Sequence, residues 1–125
     1  MNQPTALKSN PLSSYQSREI EWLWANRIPL GCVTLLEGDG GVGKSSIIAA
    51  LGSAISAGRA LPEEIAKVPR PVLLLAAEDD PSVVLRPRFE RNGADLDLVR
   101  CYDQAMLLNK AGLNLLENEI IKFGI

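Results

Sequence analysis

Between two apolar runs, residues 37–46 read EGDGGVGKSS, with Gly38, Gly40, Gly41 and Gly43 leading into Lys44, Ser45 and Ser46. Few stretches narrow the choice of fold as much. Glycine inside a helix or strand costs about 0.5–1 kcal/mol relative to alanine, so this density of glycine marks a loop. The same freedom lets successive backbone N–H groups turn inward, in conformations that side chains would block. The spacing G-x-x-x-x-G-K-S, with Asp39, Gly40, Gly41 and Val42 between the fixed positions, is that of a loop that cradles phosphate. A helix that follows it adds unpaired N–H groups and the positive end of its dipole. Lys44 would reach the β- and γ-phosphates, and the Ser45 hydroxyl would hold Mg²⁺. The competing reading is a glycine-rich hairpin turn with a chance lysine. The flanking sequence argues against it, because a strand is expected before the loop and a helix after it.

The strand is CVTLLE (32–37), a short apolar run expected to be buried. The helix is KSSIIAALGSAISAG, where Ile47, Leu51 and Ile55 recur every four residues with Ile48 beside them, and Gly58 stops it. Its other positions are mostly Ala, Gly and Ser, small enough to approach a sheet closely. After a connector (59–70), PVLLLAA reads as a second buried strand and DLVRCY (97–102) as a third. Between them, Asp80 is a natural N-cap with Pro81 in the first turn. Pro87 should kink or split that helix, and Gly93 should end it. LNLLENEIIKFG (113–124) is an amphipathic helix presenting Leu113, Leu116, Ile120 and Phe123. Upstream, EIEWLW alternates, placing Ile20, Trp22 and Trp24 on one face, and RIPLG reads as a turn. Residues 1–17 are polar and aperiodic, expected as a disordered arm before a domain spanning 18–125. The order strand–helix–strand–helix–strand–helix predicts an α/β fold with a mostly parallel sheet.

A second candidate site is AAEDD, at the end of the second expected strand. In open α/β sheets ligands sit beyond the carboxyl ends of strands, where Glu78, Asp79 and Asp80 fall. Glu78 directly follows buried residues, and its carboxylate suits a general base that polarises water. Asp79 and Asp80 read better as solvated loop acids, Asp80 being used by the cap. Arg86, Arg88 and Arg91 could form an anion patch, but an Arg86–Glu90 pair on a solvated helix face is the plainer reading. Trp22 and Trp24 alternate as strand-face residues do, with base stacking as the minor alternative.

The formal net charge of −2 gives no overall basic field to attract nucleic acid. Cys32 and Cys101 form no Cys-x-x-Cys and the chain has no histidine, which removes the usual zinc arrangements. No apolar run approaches the ~20 residues of a membrane span. The opening MNQPTALKSNPLSSYQ has no apolar signal region, so a cytoplasmic protein without a membrane segment is expected.

These residues carry a family resemblance from about Glu21 to Asp95. The IPLG lead-in, the glycine loop, and the acidic strand end followed by RPRFERNGAD resemble the RecA-like ATPases of the RepA-type helicase group. The resemblance implies a P-loop NTPase core of RecA type that binds ATP with Mg²⁺ and assembles as a homo-oligomeric ring or filament around shared nucleotide. It assigns Lys44 and Ser45 as phosphate and Mg²⁺ ligands and Glu78 as the catalytic glutamate. In that group the helix matching 113–124 leads into the Walker B strand, followed by DNA-contacting loops and an arginine finger. The chain stops at KFGI, before those parts. The expectation is therefore a RecA-like ATP-binding portion cut off before the Walker B strand, with any DNA contact made through regions absent here. A RadA- or KaiC-type ATPase, and a truncated module that binds nucleotide without turning it over, are the alternatives.

Overall fold

The computed structural model describes residues 8–102 and 104–125, and the chain divides into two units, residues 1–34 and 35–125. Of the expected N-terminal arm, residues 1–7 lie outside the described residues. From Lys8 to Ser17 the chain is exposed, with one 3₁₀ turn at Leu12–Ser14 closed by the Ser14 and Tyr15 amides.

The first unit is built on a small antiparallel hairpin of β1 (Trp22–Trp24) and β2 (Ile28–Pro29), with Trp22 opposite Pro29 and Trp24 opposite Ile28. The turn expected at RIPLG is displaced. Ile28 and Pro29 are on the strand, and the reversal lies in residues 25–27, where Asn26 takes φ 58°. Asparagine tolerates that left-handed conformation better than most residues do. The Arg27 guanidinium lies 4.8 Å from the Trp24 ring centroid, so this tryptophan is stacked locally. Ile20 precedes the ladder and is exposed, because pairing only begins at Trp22.

One expected strand is absent. Residues 32–37 form no ladder, and Val33 is 98% and Leu35 81% exposed. An apolar β-rich run becomes a strand only when a neighbour takes up its backbone groups, and none does so among the described residues. Composition gave the right propensity but could not supply that neighbour.

The second unit holds a two-stranded parallel sheet of β3 (Val72–Leu75) and β4 (Val99–Tyr102), in register from Val72↔Val99 to Leu75↔Tyr102. Helix α1 (Lys44–Ala57) packs against it and ends at Gly58, whose φ of 68° is the expected left-handed stop. The predicted stripe is half realised, with Leu51 and Ile55 half-buried, and the small positions are buried most deeply. Ala49, Gly52, Ser53 and Ser56 are buried, whereas Ile47 and Ile48 are 48% and 44% exposed. Close approach decides this. A Cβ on Gly52 would stand 3.0 Å from Phe89 Cε1 and 3.6 Å from Val72 Cγ1, so only small side chains let the helix settle there.

Between the strands, Pro81–Leu85 is a π-turn that passes into α2 (Arg86–Arg91). This is the split expected at Pro87, which has no N–H to continue the ladder. Gly93, with φ 69°, closes α2 as predicted, and the Ala94 N–H reaches back to the Phe89 carbonyl. Helix α3 (Lys110–Phe123) begins three residues before the expected 113, because Asn109 Oδ1 caps it by accepting the Gly112 N–H at 3.0 Å. Its expected buried stripe is only half realised. Phe123 lies under the Arg100 guanidinium, 3.2 Å from it, and Leu116 is half-buried, but Leu113 is 50% exposed and Ile120 is also exposed.

Candidate functional site

The glycine loop delivers Lys44 to the first position of α1. Gly41 and Gly43 take φ 78° and 99°, values that L side chains rarely adopt, which is why these two positions require glycine. A Cβ on Gly38 would meet Val42 Cγ2 at 3.1 Å, so the loop closes on itself there. Gly43 is the N-cap of α1 and supplies no side-chain acceptor. The N–H groups of the first turn, which no intrahelical carbonyl can reach, thus have no side-chain acceptor at the cap. Only the helix half of the expected strand–loop–helix setting is present, since residues 32–37 form no strand.

The Lys44 ammonium folds back on the loop, donating to the Gly38 carbonyl and, at 2.5 Å, to the Asp39 carbonyl. Both acceptors are neutral, so the positive charge has no carboxylate partner among the described residues. Ser45 and Ser46 are exposed on the first turn of α1, and Asp39, Gly40, Gly41 and Val42 are exposed in the loop. An ammonium, two hydroxyls and a run of N–H groups make a donor set that fits a magnesium-bound nucleotide. Mg²⁺ needs few protein ligands when phosphate oxygens and water supply the rest. No cluster of three or more His, Cys, Asp or Glu occurs among the described residues.

Glu78 lies in the turn after β3, in the same unit as the loop, with an exposed side chain that makes no hydrogen bond or ion pair among the described residues. Asp79 is half-buried, and its N–H donates to the Ala76 carbonyl at 3.3 Å. Asp80 does what the plainer reading expected. Its Oδ1 accepts the Ser82 and Val83 N–H groups at 2.8 and 2.9 Å. Arg86 Nε likewise pairs with Glu90 Oε1 at 2.9 Å on an exposed face, and Arg91 Nε donates to the Pro87 carbonyl.

Three residues outside the predicted set hold α1 to the end of α2. Ser53 Oγ donates to the Phe89 carbonyl at 3.5 Å, and Ser56 Oγ accepts the Asp95 N–H at 3.1 Å. The Arg59 guanidinium donates to the Asn92 and Gly93 carbonyls. The only signal in the sequence was the run of small residues along α1, which says that something packs closely but not what. An apolar cavity of about 250 Å³ lies between the β3–β4 face and α2, lined by Leu74, Leu85, Phe89, Leu96, Val99 and Cys101. No residue of the glycine loop lines it.

A glycine loop with two left-handed residues, a lysine opening the next helix and an α/β unit behind it define a P-loop nucleotide-binding module of ATPase type. A family profile described as an AAA domain matches residues 3–118, and the chain belongs to that family. No curated protein and no solved structure gives a match. Membership carries with it nucleotide binding, typically with Mg²⁺, and frequent oligomerisation. Among the described residues, no helix is long and apolar enough to cross a membrane.

Proposed function

We propose that the chain is the ATP-binding module of a RecA-like motor of the RepA-type helicase group, acting in replication or recombination. In this reading Gly38, Asp39, Gly40, Gly41, Val42 and Gly43 wrap the phosphates, and Lys44 neutralises the β- and γ-oxygens. Ser45 holds Mg²⁺ with Ser46 beside it, and Glu78 accepts a proton from the attacking water. The bound Mg²⁺ supplies charge neutralisation along the phosphate chain. A homo-oligomeric ring or filament places further groups around the nucleotide, and any contact with DNA is made by regions other than the described residues.

The observation that carries the reading is the pairing of the Lys44 ammonium with two neutral loop carbonyls at an uncapped helix start. A triphosphate is the anion that exchanges readily into that arrangement, trading carbonyl contacts for charge-assisted ones. The finer assignment to the helicase group draws on the RPRFERNGAD segment after Glu78, together with the IPLG lead-in.

Calorimetric titration with Mg-ATP tests the binding. Lys44→Ala should weaken affinity by about 10- to 150-fold, the worth of roughly 1.5–3 kcal/mol for a lost charged hydrogen bond. Unchanged affinity would remove the phosphate-loop assignment. Phosphate release with and without single-stranded DNA tests the motor. In the present chain Glu78→Gln should change little. In a longer chain that carries the Walker B strand and the arginine finger, stimulation by DNA, lowered about 10²–10⁴-fold by Glu78→Gln at unchanged ATP affinity, is the expected result. Turnover indifferent to DNA would instead favour a regulatory ATPase of the KaiC type.

A further inference from the structure

Asp80 gathers four backbone donors. Its side chain accepts the Ser82 and Val83 N–H groups, and its carbonyl accepts those of Val84 and Leu85 at 2.9 and 3.2 Å. Pro81 has no N–H to offer, so every backbone donor from residue 81 to 85 ends on this one residue. Two positions upstream stands Glu78, whose carboxylate nothing holds among the described residues. The turn that carries it is pinned on the strand side by a single long bond, from the Asp79 N–H to the Ala76 carbonyl at 3.3 Å. On the helix side it is pinned by Asp80.

With no partner to hold it, the Glu78 side chain sweeps only the region open to it from its Cβ, and the backbone of the turn sets where that region lies. A general base must stand within hydrogen-bond reach of the proton it takes, and small displacements are costly to rate. The cap is therefore more than a helix stop. We infer that Asp80 is the positioning residue of the site, fixing the backbone of Glu78 by anchoring the 77–80 turn to the start of the π-turn. This rests on the proposed role of Glu78, and deepens it. The part played by Asp80 is acceptor geometry, not proton transfer, so serine or asparagine at 80, both effective N-caps, should substitute for it.

The test compares the parent chain with Asp80→Ala, Asp80→Ser and Asp80→Asn, using two readouts. The first is the backbone ¹⁵N order parameter of Glu78, with Mg-ATP present. Asp80→Ala should lower it from the rigid range, about 0.85, to below about 0.6, and Asp80→Ser and Asp80→Asn should restore it. The second is phosphate release at saturating Mg-ATP, read in a longer chain that carries the Walker B strand. Asp80→Ala should lower kcat by about 2- to 30-fold, the worth of one lost cap, with KM unchanged, and the two capping variants should recover it. An unchanged order parameter in Asp80→Ala overturns the inference. So does an Asp80→Asn chain that is ordered at Glu78 yet as slow as Asp80→Ala, because the charge would then act directly. A longer chain that binds Mg-ATP without releasing phosphate overturns the hydrolase reading instead, and the order parameter alone then decides the role of Asp80.

Discussion

Replacing Gly58 by alanine should destabilise the second unit more than the same change at any other helix stop. Gly58 ends α1 with φ 68° and ψ 21°. A side chain in that left-handed well costs about 1–2 kcal/mol by itself. A Cβ there would also stand 2.5 Å from the Lys67 carbonyl oxygen and 2.8 Å from Pro69 Cδ. That backbone cannot simply step aside. The Lys67 N–H donates to the Gly58 carbonyl at 3.2 Å, and the Arg70 N–H to the Ile55 carbonyl at 3.1 Å. Giving up one or both of these bonds adds about 0.5–1.5 kcal/mol each. The total comes to about 1.5–5 kcal/mol, or a fall in Tm on the order of 6–40 °C for a unit of this size. Gly124 provides the control. It ends α3 with φ 67°, but a Cβ there meets nothing within 4 Å, so Gly124→Ala should cost only the conformational ~1–2 kcal/mol. Urea denaturation of both variants, followed by circular dichroism with a common slope, measures the difference. If Gly58→Ala is no more destabilising than Gly124→Ala, the close packing of residues 67–69 over the end of α1 is wrong.

Two further substitutions probe the contacts around α1 and α2. Ser56→Ala removes a hydroxyl that is fully buried, donates to the Ser53 carbonyl at 3.0 Å and accepts the Asp95 N–H. Leaving that N–H without an acceptor should cost about 1–3 kcal/mol, read as a lower urea midpoint. Arg86→Ala, by contrast, breaks a pair whose side chains are 68% and 47% exposed. It should change stability by no more than about 0.5 kcal/mol, and a larger loss in the same melt would mean that the pair is not merely a solvated surface contact.

Local chemistry was legible along the chain wherever neighbouring residues decide the outcome. Gly58, Gly93 and the Asp80–Pro81 cap stand where the sequence placed them, because helix ends depend on backbone conformation and donors within a turn or so. The glycine loop with Lys44 at the helix start was equally legible, since its spacing is itself the requirement. The split at Pro87 followed from one missing N–H.

Partners decided everything else. The run at 32–37 has a strand's composition, yet its backbone found no neighbour among the described residues and stayed exposed. Along α1 the small residues make the close approach that their size allowed, with Leu51 and Ile55 half-buried beside them, but Ile47 and Ile48 stay exposed because packing against Phe89 and Val72 admits only what is small. The buried hydroxyls of Ser53 and Ser56, and the grip of Arg59 on the end of α2, join positions more than thirty residues apart in the chain. A sequence states which groups can donate and accept; only the folded backbone brings Asn92, Gly93 and Asp95 to where those groups are.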